Sequence, residues 1–294
     1  MREPSARTSR LAIAAGLAAF IAIGAGGFLL GRATAPKAPP PAPAAAPVKV
    51  IAPPIPVLPQ SPRLWGRAEI TDLARRAADA FSSGKPLPDD IAGATGQRFE
   101  LSLPFGCSGE ADKDSTDPMR WRYDEAAGVL RVHAMPTAWK AADFALPAGG
   151  EGHGAEGFWM QRPWSTSDEC PAAPNAADPD RPVTSPAPDQ SLALAQFGRN
   201  DGKDLWRHGR PFEKVLRIAP EAFDPSRGLR LRLIGRIEQV PGNGPIHCTQ
   251  LRGVEQRPVC VVAISLREVR MEKPGTDAPI AIWENRSAPG SAGH

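Results

Sequence analysis

The chain has 294 residues, 34 of them proline and 28 glycine, which is about a fifth of the sequence against a usual ~12% for the two together. A hydrophobic content of 41% excludes a multi-span membrane protein, and 23% charge without a long like-charge block excludes a wholly disordered chain. The net charge of +3 is uneven: residues 1–63 hold seven basic residues and one acid, which leaves the remainder at net −3. That remainder has no excess positive charge to neutralise phosphates, so no nucleic-acid partner is expected.

Residues 1–10 read as a short cytoplasmic arm. Residues 11–31, LAIAAGLAAFIAIGAGGFLLG, carry no charged side chain. As a helix they would extend ~31 Å, the thickness of a hydrocarbon core, and the run is longer than the ~7–15 apolar residues of a cleavable signal. Ala33-Thr34-Ala35 looks like a cleavage site, but Pro36 follows it. The expectation is therefore an uncleaved transmembrane signal anchor, a single pass in the inner membrane of a bacterium, with residues 36–294 in the periplasm or outside. Ala14, Ala18, Ala22 and Gly26 recur at every fourth position, and Gly27 and Gly31 form a GxxxG pair. Such spacing lets two helices approach, which makes self-association through the span an expectation; an Ala/Gly-rich composition also produces such stripes by chance.

Residues 32–63 form a Pro/Ala-rich linker, with eleven prolines between 36 and 63. Proline lacks the amide donor and favours polyproline II, so the segment reads as a stiff spacer rather than as helix or strand. The remainder, 64–285, reads as one extracytoplasmic module that is mainly β (α+β). An alternative division has two halves, 64–170 and 190–285, joined by the Pro-rich loop 171–189. One amphipathic helix is expected over Arg67–Ser82, with Ile70, Leu73, Ala77 and Phe81 on its apolar stripe.

Thereafter the spacing is strand-like. Phe99, Leu101 and Leu103 alternate with polar residues, and 119–123 with 129–134 read as a hairpin. Further strands are expected at 158–161, 192–197 and 214–218. The firmest β pattern is Leu229, Leu231, Leu233 and Ile237 alternating with Arg230, Arg232 and Arg236, which describes a sheet with one buried and one wet face. A long strand from Cys260 through Met271, a turn at 273–277 and a strand at 280–283 complete the module, and 286–294 reads as a disordered tail. Segments 96–103 and 228–233 share a Gly-x-Arg-apolar-x-Leu start, the only trace of an internal repeat.

Four cysteines, Cys107, Cys170, Cys248 and Cys260, with no CxxC pair, point away from zinc ribbons and redox dithiols. In an exported module two disulfides are the economical reading. Three pairings are open, and spacing favours Cys107–Cys170 with Cys248–Cys260. His247 invites a metal reading, but no other histidine stands at ligand spacing. The acids Glu110, Asp112, Asp114 and Asp117 fail the glycine and glutamate positions of a calcium loop. No metal and no cofactor are expected.

Gly152–Gly157 matches GxGxxG by letter, but an aromatic run ending in Pro163 follows it where a helix should begin, so a flexible loop is expected there. Ser82-x-x-Lys85 ends a helix and lacks the companion motifs of acyl-transfer enzymes. What stands out is Trp159, Arg162 and Trp164 beside that glycine-rich run, a candidate binding surface because aromatics and arginine dominate hot spots. Core packing is the competing account of the two tryptophans. These features together describe a membrane-anchored envelope protein with a binding or structural outer module and an envelope protein as partner. The rival is a tethered hydrolase with dispersed acids such as Asp168, Glu169 or Glu110.

Overall fold

The fold is that of a computed structural model, which describes residues 63–147, 150, 152–171, 190–250, 253–274 and 278–286. The expected arm, the span 11–31 with its Ala14, Ala18, Ala22, Gly26, Gly27 and Gly31, nearly all of the linker, most of the 171–189 loop and most of the 286–294 tail lie outside these residues. Among the described residues no helix is long and apolar enough to cross a membrane.

Among the described residues the module is mainly β, with two sheets and one long helix, α1 (Arg67–Ser82). The N-terminus of α1 is secured by Glu69, whose carboxylate accepts the Gly66 N–H at 2.9 Å. Its buried face is Ile70, Leu73, Ala74, Ala77 and Ala80. Phe81, expected on that stripe, is 42% exposed. Ala74 and Ala80 take its place in the interface, where they lose no rotamer freedom on burial. A single helical turn, α2 (Asp89–Ala92), then buries Ile91.

Eleven strands follow among the described residues: β1 (Arg98–Phe105), β2 (Met119–Asp124), β3 (Val129–Ala134), β4 (Thr137–Lys140), β5 (Gly154–Trp159), β6 (Leu192–Gly198), β7 (Phe212–Arg217), β8 (Leu229–Ile237), β9 (Ile246–Thr249), β10 (Val259–Glu272) and β11 (Pro279–Glu284). The larger sheet runs β1-β8-β10-β6-β5-β4, with β9 and β11 also paired to β10; the smaller runs β2-β3-β7. Strands from before and after the Pro-rich loop pair with one another in both sheets: β1 pairs β8, β5 pairs β6, and β3 pairs β7. The similar segments at 96–103 and 228–233 are antiparallel neighbours in the larger sheet, with Leu101 opposite Leu233.

The 14-residue strand β10 organises the larger sheet. Its first half lies between β6, parallel, and β9, antiparallel. Its second half lies between β8 and β11, both antiparallel. The change of partner falls at a bulge between Leu266 and Glu268. There the Leu266 N–H donates to the Gln196 side chain at 2.8 Å, and the Asn285 amide donates to the Leu266 carbonyl at 3.1 Å. Side-chain amides thus complete the ladder where strands leave it.

One face of this sheet is apolar, with Leu101, Leu103, Leu231, Leu233, Val269 and Met271 fully buried. The opposite face differs from the wet surface expected from the arginine alternation. Glu272 is 1% exposed, and the Arg232 Nε lies 2.8 Å from both of its carboxylate oxygens. Arg232 also reaches Glu100 on β1, and Arg270 pairs with Glu268. Arg232 on β8 thus bridges carboxylates on β1 and β10 that stand diagonal to it, its directly opposite neighbours being Ser102 and Arg270.

The outer edge of β1 is closed by the chain just before and within α1. Trp65 bonds to the backbone of Arg98 and Glu100, both at 2.9 Å, and the Arg67 guanidinium reaches the Ser102 carbonyl at 3.4 Å. The edge therefore offers no free ladder to another chain along this stretch.

Both disulfides expected from spacing are formed, Cys107–Cys170 and Cys248–Cys260. The second joins residues directly opposite each other on β9 and β10, with Cα atoms 4.0 Å apart. Two disulfides point to a domain that matures in an oxidising compartment outside the cytoplasm.

Candidate functional site

A cleft of about 600 Å³ opens where the two sheets meet. Its walls come from four stretches separated in sequence: the loop after β1 running into the start of β2, the β3–β4 connection, the end of β5, and Gln190 before β6. The loop after β1 is shaped by Trp121, which is 2% exposed and packs edge-on to Phe223 at 5.3 Å between ring centroids. Its indole N–H donates to the Gly106 carbonyl at 3.3 Å. Gly106 has φ +62°, and a Cβ there would fall 2.2 Å from the indole nitrogen, so only glycine fits. Beyond it Ala111 donates to the Trp121 carbonyl at 3.0 Å, holding the loop along β2.

The floor of the cleft is apolar: Phe158 is buried, while Met119, Met135 and Trp159 are half-buried. The rim is acidic, with Glu110, Asp112 and Asp117 against one base, Arg120. Glu110 accepts the Tyr123 N–H at 3.2 Å, and its carboxylate stands 3.7 Å from the Arg122 guanidinium. Asp117 accepts the Ser115 hydroxyl at 3.0 Å, and Arg120 donates to the Asp117 carbonyl at 2.6 Å. Carboxylates on the rim over a floor of thioethers and aromatic rings are chemically complementary to a group that is both cationic and apolar. Cys107 lies in this wall, and its bond to Cys170 ties the loop 161–170 beside the cleft.

The three residues singled out from sequence are separated by the fold. Trp159 lines the cleft and meets Trp139 edge-on at 5.3 Å. Arg162 and Trp164 lie outside it, on the loop that follows β5. Arg162 adopts φ +51° and donates to the Glu169 carbonyl, while Trp164 is 62% exposed. That loop is gripped from below by Arg67, itself 3% exposed, which donates to the carbonyls of Ser165 at 2.8 Å, Arg162 at 3.0 Å and Gln161. Burial lowers the affinity of Arg67 for its proton, opposed by the Asp168 carboxylate. Burial in turn pushes the Asp168 carboxyl up, against the pull of Arg67, Arg230 and Arg232. One Asp168 oxygen is buried without a hydrogen-bond partner.

The glycine-rich run 152–157 requires a correction. Gly154 and Gly157 belong to β5, whose first five residues are buried. A Cβ on Gly157 would sit 1.9 Å from the Leu194 carbonyl of β6, so this glycine allows close backbone approach and not loop mobility. His247 also has a structural role: its Nε2 donates to the Phe144 carbonyl at 3.0 Å, and its Nδ1 accepts from Asn243 at 2.8 Å. Among the described residues no group of three His, Cys, Asp or Glu side chains could hold a metal ion. The cleft itself was missed by sequence reading; the only signals were Trp159 and the acidic run after Cys107. No family model, no curated protein and no solved structure matches the chain.

Proposed function

We propose that the protein is a single-span envelope protein, anchored by residues 11–31 and spaced from the membrane by residues 32–63, whose outer module binds another envelope component. The observation that carries this reading is the acid-rimmed, apolar-floored cleft of about 600 Å³ beside the Cys107–Cys170 bridge. Its size is that of a recognition site, and its charge selects a partner segment with lysine or arginine beside an apolar residue. Trp164 and Arg162, on the adjoining loop, extend the contact surface, as exposed aromatics and arginines do in hot spots. The apolar, arginine-flanked span and the two disulfides support an orientation with the module outside.

The hydrolase reading would need two titratable groups converging in one cleft, and Asp168 does not line the acidic cleft. The charges acting on Asp168 are mainly those of Arg67, Arg230 and Arg232, an arrangement that suits an internal ion cluster.

The test is co-purification of the full-length protein from detergent-solubilised membranes, comparing the parent with Asp112→Lys/Asp117→Lys. Both positions are exposed, so folding should be unaffected. A partner recovered with the parent and lost with the double variant supports the cleft. Equal recovery with both chains places the contact elsewhere.

A further inference from the structure

A second concavity, of about 770 Å³, opens on the larger sheet where β10 changes partners. Pairing of β10 with β6 ends at Ala263, and β11 joins only at Glu268. The gap is filled by polar side chains in fixed positions. Gln196 and Asn285 bond the bulge backbone as described above, and the Ser265 hydroxyl donates to the Glu238 carboxylate at 2.7 Å. Gln239 stands beside Glu238, exposed on the rim.

The outer wall is the loop between β6 and β7, and it is held against strain. Asn200, Asp201 and His208 adopt positive φ of 52°, 55° and 51°. The buried Glu156 carboxylate, 2% exposed, accepts the Arg207 N–H at 2.8 Å and the Gly209 N–H at 3.1 Å. Asp201 donates to the Gly152 carbonyl at 2.9 Å, and the Arg207 guanidinium lies 4.6 Å over the Phe212 ring. Several left-handed residues in one over-determined loop are characteristic of a preorganised ligand wall. The loop presents half-buried Trp206 to the cleft, backed by Phe212 edge-on at 5.3 Å.

Eight of the thirteen lining residues are polar, donors and acceptors together. Arg199 stands 3.8 Å from Asp204, so neither sign of charge dominates. An apolar ligand would leave unmet the hydrogen-bonding capacity that Glu238 and Gln239 retain on the rim, and an anion would face the Glu238 carboxylate. A sugar ring satisfies both sides of the cleft. Its hydroxyls donate and accept toward Glu238, Gln239 and Asn285, and its C–H face lies against an aromatic ring. The geometry points to this cleft as a binding site for a neutral oligosaccharide, distinct from the acidic cleft and independent of its reading.

The experiment titrates the full-length protein, in a detergent without a sugar headgroup, with chitotetraose and separately with maltotetraose, reading heat. Binding of either sugar is expected, weakened at least about tenfold by Gln239→Ala and by Glu238→Gln. Asp112→Asn, in the other cleft, should leave it unchanged. Trp206→Ala is unsuitable alone because it removes packing from Phe212; the exposed Gln239 keeps the test clean, with an unchanged melting temperature as control. No heat with either sugar overturns the proposal, as does equal affinity in the parent and both rim variants.

Discussion

The two disulfides stand in contrasting regions of one module. Cys248 and Cys260 are 7% and 2% exposed, opposite each other on adjacent strands, in a part of the sheet whose register is set by apolar neighbours on both sides. Cys107 and Cys170 are half-buried, 63 residues apart, and join two loops in a region that has no ladder of its own. In the first region the covalent bond repeats what hydrogen bonds and packing specify. In the second it does what secondary structure does not, by fixing one wall of the acidic cleft beside a loop that Arg67 holds through carbonyls alone. The comparison shows how a rigid sheet and a loop-built cleft can coexist on one chain.

The contrast can be broken from the interior outward. Arg232→Ala should have the largest effect, because it leaves the Glu272 carboxylate buried without the guanidinium that bonds both its oxygens; a loss of about 3–5 kcal/mol is expected in denaturant unfolding. The cysteine pairs come next. Replacing Cys107 and Cys170 by serine should cost about 4 kcal/mol in the chain-entropy model, and replacing Cys248 and Cys260 about 3 kcal/mol, since the second loop is shorter. Only the first pair should also abolish partner recovery from membranes. If both pairs abolish it equally, the distinction between the two regions fails.

Asp168 sharpens the comparison through pH. Burial raises its carboxyl above the ordinary value, so the folded protein binds the proton more tightly than the unfolded chain. The stability cost of ionisation is absent at pH below the unfolded value and grows as pH rises through the raised folded value. Asp168→Asn should therefore match the parent at strongly acidic pH and exceed it in stability at neutral pH. A parent-like difference at every pH would show that the carboxyl is not displaced. The smallest stability effect belongs to Trp164→Ala, expected within about 0.5 kcal/mol because the ring is largely exposed. If it is part of the contact surface, affinity should nonetheless fall about thirtyfold, the equivalent of ~2 kcal/mol. A collapsed melt would return Trp164 to the core.

Strand positions were legible where period-2 alternation reports a buried face directly, as in Leu229–Ile237 and the 119–134 hairpin. The disulfide pairing was legible from spacing because each bridge stays within its own stretch of chain. Three features were not. Arg232 of β8 looked solvated because its partners, Glu100 and Glu272, lie far away in sequence and meet it only through sheet register. Gly154 and Gly157 looked like a mobile loop because glycine signals both turns and close strand approach, and only the carbonyl of Leu194 decides between them. The acidic cleft draws its walls from four separate stretches, so composition could flag Trp159 and the acids but not their convergence.

The most direct measurement places a photo-crosslinking side chain at Asp112 on the cleft rim, with the same group at Val254, which is 86% exposed, as the remote control in living cells. The account predicts a discrete adduct from position 112 and none from 254, and loss of the 112 adduct when Cys107 and Cys170 are both replaced by serine. No adduct from 112, or the same adduct from both positions, would contradict the claim that this disulfide-tied cleft is where the module meets its partner.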